Sequence, residues 1–292
     1  MKILLTGKTG QVGYQLERSL QGLGEVVALN SMQMNLADLD QVRRVVREIK
    51  PDLIINPAAY TAVDLAEREP ELAQRINGDA PGVLAEEARL LGAAMIHYST
   101  DYVFDGSKAG VYIESDTPNP QNVYGKSKLA GEQAVAAAGI PHLILRTSWV
   151  YGMHGKNFLR TVMRLAAERD ELRIVADQFG APTWSRTIAD TTAHILSRLQ
   201  KHPSRGLDRD AWQSHSGVMH VTAQGHTTWY GFTNAILAHA SILKKPTVTP
   251  IKTEEYPLPA VRPKNSVLSC EKLISTFCEL PKWDKALQLC QE

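Results

Sequence analysis

Two side chains four residues apart, Tyr124 and Lys128, have the chemistry of an acid–base pair. This spacing puts both on one face of a predicted helix. A phenol, with a reference pKa of about 10, exchanges protons poorly near neutral pH, but a neighbouring ammonium favours its phenolate. The pair therefore predicts a tyrosine whose pKa is lowered by Lys128. A solvated helix face is the alternative, because this spacing is common.

Hydroxyl groups precede this pair at the end of a predicted strand, in the segment from Tyr98 through Ser99 and Thr100 to Asp101. Open α/β sheets place ligand-contacting groups at the carboxyl ends of their strands. A hydroxyl at this position could hydrogen-bond a substrate carbonyl.

Three glycines, Gly7, Gly10 and Gly13, lie between the first predicted strand and the first predicted helix. Glycine lets the backbone turn tightly and approach a pyrophosphate, and a helix N-terminus presents free N–H groups to that anion. The spacing is G-x-x-G-x-x-G, which differs from the usual dinucleotide fingerprint, G-x-G-x-x-G. An ordinary strand-to-helix turn is the alternative. The absence of a Gly-Lys-Ser/Thr ending argues against a P-loop NTPase.

The elements that must position these groups alternate between short apolar runs and amphipathic segments. The runs predict strands at Lys2–Thr6, Val26–Leu29, Leu53–Asn56, Ala93–Tyr98 and Leu143–Leu145. The amphipathic segments predict helices at Gln11–Leu20, Leu39–Ile49, Glu71–Leu91, Ser127–Ala138, Asn157–Glu168, Thr187–Leu199 and Trp229–Leu243. Such alternation predicts an α/β fold with a doubly wound parallel sheet, although it does not give the strand order.

The rhythm changes after about residue 150, which predicts two parts. We expect residues 1–150 to form the nucleotide-binding domain, with a later segment near 180–200 returning to it. We expect residues 151–292 to form a smaller α/β part, and the family resemblance described below implies that this part binds substrate.

Composition and charge exclude several classes of function and partner. The 292 residues carry a formal net charge of +1, with 43% hydrophobic and 22% charged residues, which is ordinary for a soluble globule. Without a run of Lys or Arg, neither nucleic acid nor a membrane is expected as a partner. The apolar run at the N-terminus is too short for a signal peptide. Three cysteines without C-x-x-C spacing argue against a zinc site or a disulfide framework, so a cytoplasmic protein without metal is expected.

Seven stretches together carry a resemblance to a known family: GKTGQVG (7–13), AAYTAVDLAE (58–67), HYSTDYVFDG (97–106), NVYGKSKLAGE (122–132), RTSWVYG (146–152), DQFGAPT (177–183) and RPKNSVL (262–268). They span nearly the whole chain. The sequence resembles the extended short-chain dehydrogenase/reductase superfamily and, within it, the dTDP-4-dehydrorhamnose reductases. This resemblance implies a Rossmann-type sheet domain and hydride transfer from NADPH or NADH to C4 of dTDP-4-dehydro-L-rhamnose.

The same resemblance implies roles for individual residues. Tyr124 would donate the proton, Lys128 would lower its pKa and bind the nicotinamide ribose, and Thr100 would complete the catalytic set, with Ser99 as the competing assignment. The cofactor would contact Gly7, Gly10, Gln11, Val12, Gly13, Asn30, Asn35, Leu36, Ala59, Tyr60, Thr61, Tyr98, Tyr124 and Lys128. The dTDP-sugar would contact Thr100, Asp101, Tyr124, Trp149, Asn157 and Arg262.

Three of these substrate residues have structural alternatives. Trp149 could belong to the core, Asn157 could cap its helix, and Arg262 could form a surface salt bridge. Asp64 and Glu67 recur in the family and are interpreted as structural.

Two departures from the family affect the expectations. Asn30 stands where many members have an acidic residue for the adenosine ribose, so both NADH and NADPH are expected to serve. Gln15 stands where some members have an acidic ligand for a magnesium ion that bridges a dimer, and an amide is a poor ligand for that cation. We therefore expect no metal, and either a monomer or a homodimer.

Two other functions compete with the reductase. One is a non-catalytic regulatory subunit similar to the β subunit of methionine adenosyltransferase, which the intact set of Thr100, Tyr124 and Lys128 disfavours. The other is a nucleotide-sugar epimerase or dehydratase, in which Asp101 would be the extra acidic residue.

Overall fold

A parallel sheet runs through the middle of the computed structural model, which describes residues 1–202, 206–240 and 245–292. Its strands are β1 (Lys2–Leu5), β2 (Glu25–Ala28), β3 (Leu53–Asn56), β4 (Ala94–Thr100), β5 (His142–Thr147) and β6 (Gly217–His220). Their spatial order is β6-β5-β4-β3-β1-β2, and every neighbouring pair is parallel. The chain moves to one side of β1 to form β2 and to the other side to form β3. The order reverses there, which opens a crevice at the strand ends.

Helices cover both faces of this sheet. The α-helices are α1 (Gln11–Ser19), α2 (Leu39–Ile49), α3 (Val63–Ala66), α4 (Pro70–Gln74), α5 (Ala80–Leu91), α6 (Val123–Ala137), α7 (Phe158–Glu168), α8 (Ser185–Leu199), α9 (Arg209–His215), α10 (Trp229–His239), α11 (Glu271–Thr276) and α12 (Trp283–Gln291). A π-helical turn, Arg75–Asp79, joins α4 to α5, and 3-10 turns cover Asp101–Val103 and Thr253–Glu255. Within the described ranges, each helix is too short or too polar to span a bilayer.

Alternation along β1 shows why helices are needed on both faces. Ile3 and Leu5 belong to one buried cluster, which includes residues of α1, α8 and α11. Leu4 points the other way, into a cluster with residues of α2 and α5. A strand that is apolar on both sides stabilises a sheet only when both faces are covered.

The C-terminal part adds its own core and several short strand pairs. Tyr151, Leu159, Phe232 and Leu287 share a third buried cluster. The strand pairs are Val150–Tyr151 with Thr183–Trp184, Glu171–Val175 with Thr247–Ile251, Phe179–Gly180 with Thr227–Thr228, and Gln200–His202 with Gly206–Leu207.

The predicted fold class, a Rossmann-type doubly wound sheet, is confirmed by this topology. The division into residues 1–150 and 151–292 stays a prediction. Two segments of the second range contribute to the sheet domain. Helix α8, which covers most of the segment near 180–200, packs its apolar side into the cluster of Ile3 and Leu5. Strand β6 pairs with β5 and was not predicted from the sequence. Its four residues are too few to show a hydrophobic period.

Three predicted helices need correction. The segment predicted as one helix at Glu71–Leu91 is interrupted by the π-turn, in which Asn77 binds the backbone of Tyr60 through both ends of its amide. Helix α6 begins before Ser127, at Val123, because the Asn122 side chain accepts a hydrogen bond from Gly125 N at 2.7 Å. Helix α10 ends at His239, and residues 241–243 of the predicted helix lie outside the described residues.

Candidate active site

A cavity of about 520 Å³ opens where the strand order reverses. Its wall comes from the carboxyl ends of β1, β3, β4 and β5, from the first turn of α1, and from the start of α6. The sheet thus brings together the two features that the sequence indicated separately, the glycine turn and the Tyr124/Lys128 pair.

The glycine turn is shaped for close backbone approach. Gly7 has φ +60°, and a Cβ on Gly13 would overlap the Gly7 carbonyl oxygen. Gly10 precedes α1 in an extended conformation and gives the helix no side-chain cap. The first N–H groups of α1 are therefore available to a ligand in the cavity.

Tyr124 lies in the first turn of α6 and lines the cavity. Its ring meets that of Tyr102 edge to face, with centroids 5.8 Å apart. Burial raises the pKa of Tyr124 to about 12, and a hydrogen bond with Thr100 opposes this shift. The phenol is therefore protonated at neutral pH, which is the state that a proton donor requires.

Lys128 lies one turn further along α6 and is only 2% exposed. Its Nζ donates to the Tyr98 carbonyl oxygen at 2.6 Å. Burial lowers the pKa of Lys128 to about 8, although the carboxylate of Glu132 raises it. The predicted direction for Tyr124 was wrong in this structure, because burial of the phenol outweighs any effect of the ammonium on its pKa.

The strand-end hydroxyls have different surroundings. Thr100 Oγ1 donates to Asp101 Oδ1 at 3.0 Å and accepts from Tyr102 N at 3.2 Å. Ser99 Oγ is buried without a partner among the described residues, and Ser99 lines the cavity. Burial raises the pKa of Asp101 to about 6. Thr100 is tied to Tyr124 and Asp101, whereas Ser99 has a hydroxyl available to a ligand.

Most of the predicted cofactor residues meet at the cavity wall: Gly7, Gly10, Gln11, Val12, Gly13, Asn35, Leu36, Ala59, Thr61, Tyr98, Tyr124 and Lys128. Two predicted residues are not part of this wall. The Asn30 side chain accepts hydrogen bonds from Met32 N and Gln33 N within its own turn. The Tyr60 hydroxyl donates to Glu69 Oε2 at 2.6 Å.

Trp149, Asn157 and Arg262, which were predicted to contact the substrate, all have protein partners. Trp149 stacks on Trp229 with ring centroids 3.5 Å apart. Asn157 caps α7 and also donates to Gln11 Oε1 at 2.9 Å, next to the glycine turn. Each of these contacts agrees with the structural alternative for its residue, and neither prevents contact with a substrate.

Arg262 forms a two-point ion pair with Asp64, with N–O distances of 2.6 and 2.7 Å. This pair lowers the pKa of the Asp64 carboxyl. The preceding residue, Val261, accepts at its carbonyl from Asn122 Nδ2 at 2.8 Å, just before Tyr124. Arg262 is therefore held close to the start of α6.

Several wall or support residues were not found from the sequence. Ser31, Thr147 and Lys156 line the cavity, and no spacing marked them. Asn77 supports α6 by donating to Ser127 Oγ at 3.0 Å. The polar pair Asn77-Gly78 inside an apolar helical pattern is the feature of the sequence that could have indicated this residue. Both residues lie in the π-turn that interrupts the helix.

These residues fit a nicotinamide dinucleotide. The turn offers backbone N–H groups to a diphosphate, and Lys128 and Lys156 give the wall positive charge. Of the described residues that line the cavity, none is Asp or Glu. Buried hydroxyls of Ser99 and Thr147 lack partners within that same part of the chain, so they can bond a polar ligand. Elsewhere in the described residues, no group of three His, Cys, Asp or Glu could hold a metal ion.

Comparison with known proteins gives consistent matches over the whole chain. The family model for the RmlD substrate binding domain matches residues 1–292. A dTDP-4-dehydrorhamnose reductase of Burkholderia thailandensis is 50% identical, covering 99% of this chain and 98% of the relative. The Escherichia coli K12 reductase is 43% identical, covering 97% and 94%. A solved dTDP-4-dehydrorhamnose reductase from Bacillus anthracis, in complex with NADP, superposes with TM-score 0.89 at 35% identity, covering 99% and 98%.

Proposed function

This chain belongs to the RmlD substrate binding domain family, and we propose from this premise that it catalyses the last step of dTDP-rhamnose synthesis. It reduces dTDP-4-dehydro-L-rhamnose to dTDP-L-rhamnose with NADPH or NADH. The observation that carries this function is one cavity that holds the glycine turn at one side and the Tyr124/Lys128 pair at the other.

The reaction adds a hydride to C4 and a proton to the oxygen on C4. The nicotinamide cofactor supplies the hydride when it is bound. Tyr124 gives its phenolic proton to the oxygen as negative charge develops there. The raised pKa of Tyr124 keeps this proton in place until the oxygen becomes basic. Solvent returns a proton to Tyr124 before the next turnover.

The ammonium of Lys128 has two tasks in this proposal. It bonds the ribose of the nucleotide, and its charge stabilises the phenolate that remains on Tyr124 after proton transfer. Thr100 Oγ1 donates its one proton to Asp101 in this structure, and a rotation of the hydroxyl lets it donate to the substrate oxygen instead and align that oxygen with Tyr124.

We assign the dTDP-sugar to a region bordered by Asp101, Trp149, Asn157 and Arg262. The guanidinium of Arg262, held by Asp64 and tethered beside α6, supplies positive charge for the substrate diphosphate. Asn157 bonds Gln11, so it connects the substrate side with the glycine turn.

The compartment and assembly are part of the same proposal. The free cysteines Cys270, Cys278 and Cys290 support a cytoplasmic enzyme, since thiols stay reduced there. A monomer or a homodimer is expected, and light scattering of the purified protein measures which one forms.

The deciding experiment incubates the protein with NADPH and dTDP-4-dehydro-L-rhamnose. We expect oxidation of NADPH and an NMR spectrum of dTDP-L-rhamnose. NADPH that is bound but not oxidised would indicate the regulatory-subunit alternative. A product epimerised or dehydrated without net oxidation of NADPH would indicate the other alternative.

A further inference from the structure

A line of buried polar groups leads from Lys128 into the sheet. Lys128 Nζ is 3.4 Å from His97 Nε2, and His97 Nδ1 is 3.1 Å from the side-chain amide of Asn56. The other end of that amide is 2.6 Å from Thr6 Oγ1. Lys128 is 2% exposed and His97 is 0% exposed. Thr6, Asn56 and His97 lie at the ends of β1 and β3 and on β4, so three neighbouring strands support one ammonium.

The chemistry of this line fixes the proton on His97. Burial and the charge of Lys128 lower the pKa of His97 well below its ordinary value, so the ring is neutral and has one N–H. An ammonium can only donate, so Nε2 must accept from Lys128 and Nδ1 must carry the proton. The side-chain amide of Asn56 is then flipped, so that Oδ1 accepts from His97 Nδ1 and Nδ2 donates to Thr6 Oγ1. The flip exchanges the positions of Oδ1 and Nδ2 and leaves the rest of the side chain in place.

We propose that His97 is a positioning residue for the reaction. Its Nε2 accepts a hydrogen bond from Lys128 and, together with the Tyr98 carbonyl oxygen, fixes the direction of the ammonium beside the cofactor ribose and Tyr124. This inference rests on the proposed function, since it gives His97 a task through Lys128.

Lys128 Nζ also donates to the Tyr98 carbonyl oxygen at 2.6 Å, so His97 is its second acceptor and the one that a side chain supplies. Glu132 is the nearest acidic residue on α6, but both of its carboxylate oxygens accept from Arg146, at 2.8 and 2.6 Å. On the same helix, a Cβ on Gly131 would lie 3.4 Å from His97 Nε2 and would overlap the Asn77 carbonyl oxygen. The glycine therefore leaves space for the ring beneath Lys128.

The first test needs no substitution at His97. Long-range ¹H–¹⁵N NMR of the intact protein reports which ring nitrogen of each histidine carries the proton. We expect the Nδ1–H tautomer for His97, and we expect this preference to be lost in Lys128→Met. An Nε2–H tautomer or an imidazolium at His97 in the unsubstituted protein would overturn the proposal, whether or not the protein is a reductase.

The second test compares two substitutions. His97→Gln keeps an acceptor near the position of Nε2, whereas His97→Leu removes it. For His97→Leu we expect NADPH affinity and kcat each to fall about 10- to 100-fold, because one hydrogen bond to a charged group is lost, while the KM of the sugar nucleotide stays unchanged. His97→Gln should restore both to within about fivefold of the unsubstituted enzyme.

A matched control separates positioning from packing. His220 is another buried histidine of the same sheet, on β6, two strands from His97. His220→Leu should lower thermal stability without changing NADPH affinity or kcat. Equal losses of affinity in His97→Gln, His97→Leu and His220→Leu would show a merely structural role and overturn the proposal. If His97→Leu does not fold, the tautomer measurement and His97→Gln still decide it.

Discussion

Replacement of Tyr124 by Phe removes the proposed proton donor and very little else. The substitution takes away one hydroxyl and leaves a ring that still meets Tyr102 edge to face. It also removes the hydrogen bond with Thr100. Because Tyr124 is partly buried at a cavity wall, the empty space left by the hydroxyl is open to water. We therefore expect a loss in the free energy of unfolding of no more than about 1.5 kcal/mol, the usual contribution of one hydrogen bond.

The effect on turnover should be much larger. General acid catalysis contributes roughly 10²- to 10⁴-fold, which corresponds to about 2.7 to 5.4 kcal/mol of activation free energy. The loss should appear in kcat, because the proton is transferred in the transition state. NADPH affinity should change by less than about threefold, since the cofactor contacts assigned to Lys128 and the glycine turn remain.

Single-turnover kinetics and NADPH titration by fluorescence measure these two quantities separately. Tyr112→Phe is the matched control: it removes a buried hydroxyl that donates to Asp105 at 2.9 Å, outside the cavity wall. Its kcat should match that of the unsubstituted enzyme. Turnover of Tyr124→Phe within about fivefold of the unsubstituted enzyme would refute the assignment of Tyr124 as the acid.

Three further predictions concern the cofactor and metals. Lys128→Met should weaken NADPH binding about tenfold or more, and the affinity of the unsubstituted enzyme should itself fall above about pH 8, where the buried ammonium loses its proton. Calorimetric titration with NADPH at several pH values measures both affinities. A fall in affinity above about pH 8 that persists in Lys128→Met would contradict the assignment to Lys128. NADH and NADPH should differ in kcat/KM by no more than about 30-fold, because Asn30 bonds its own turn and the neighbouring Ser31 is neutral. Steady-state kinetics with both cofactors tests this, and a thousandfold preference would require another residue to read the 2′ position. EDTA should change neither the rate of NADPH oxidation nor the mass measured by light scattering, since Gln15 is a poor ligand for a hard cation. Dissociation of a dimer on chelation would show that a metal bridges it.

The sequence predicted the features that depend on spacing within one element. The distance of four residues between Tyr124 and Lys128 sets a shared helix face, whatever the helix packs against. Gly7, Gly10 and Gly13 likewise predict a tight turn before a helix, because the need for a missing side chain is local. The alternation of strands and helices predicted the doubly wound sheet for the same reason.

Other features could not be predicted, because they depend on residues far apart in the chain. Strand β6 comes from positions 217–220 and joins the sheet by pairing with β5, a contact that its own four residues do not indicate. The side chain of Asn77 interrupts a helical pattern by bonding Tyr60 across the fold. In both cases a tertiary contact outweighs the local preference.

The chemistry of the site divides in the same way. The sequence by itself determined which groups could transfer a proton and bind a diphosphate, since the residue types and their spacing in the chain are enough for that. Only the tertiary structure decided their protonation, because a pKa depends on which groups surround a side chain and how much water reaches it. Burial raises the pKa of Tyr124 and lowers that of Lys128, and His97, 31 residues from Lys128, becomes its neighbour only when β4 packs beneath α6.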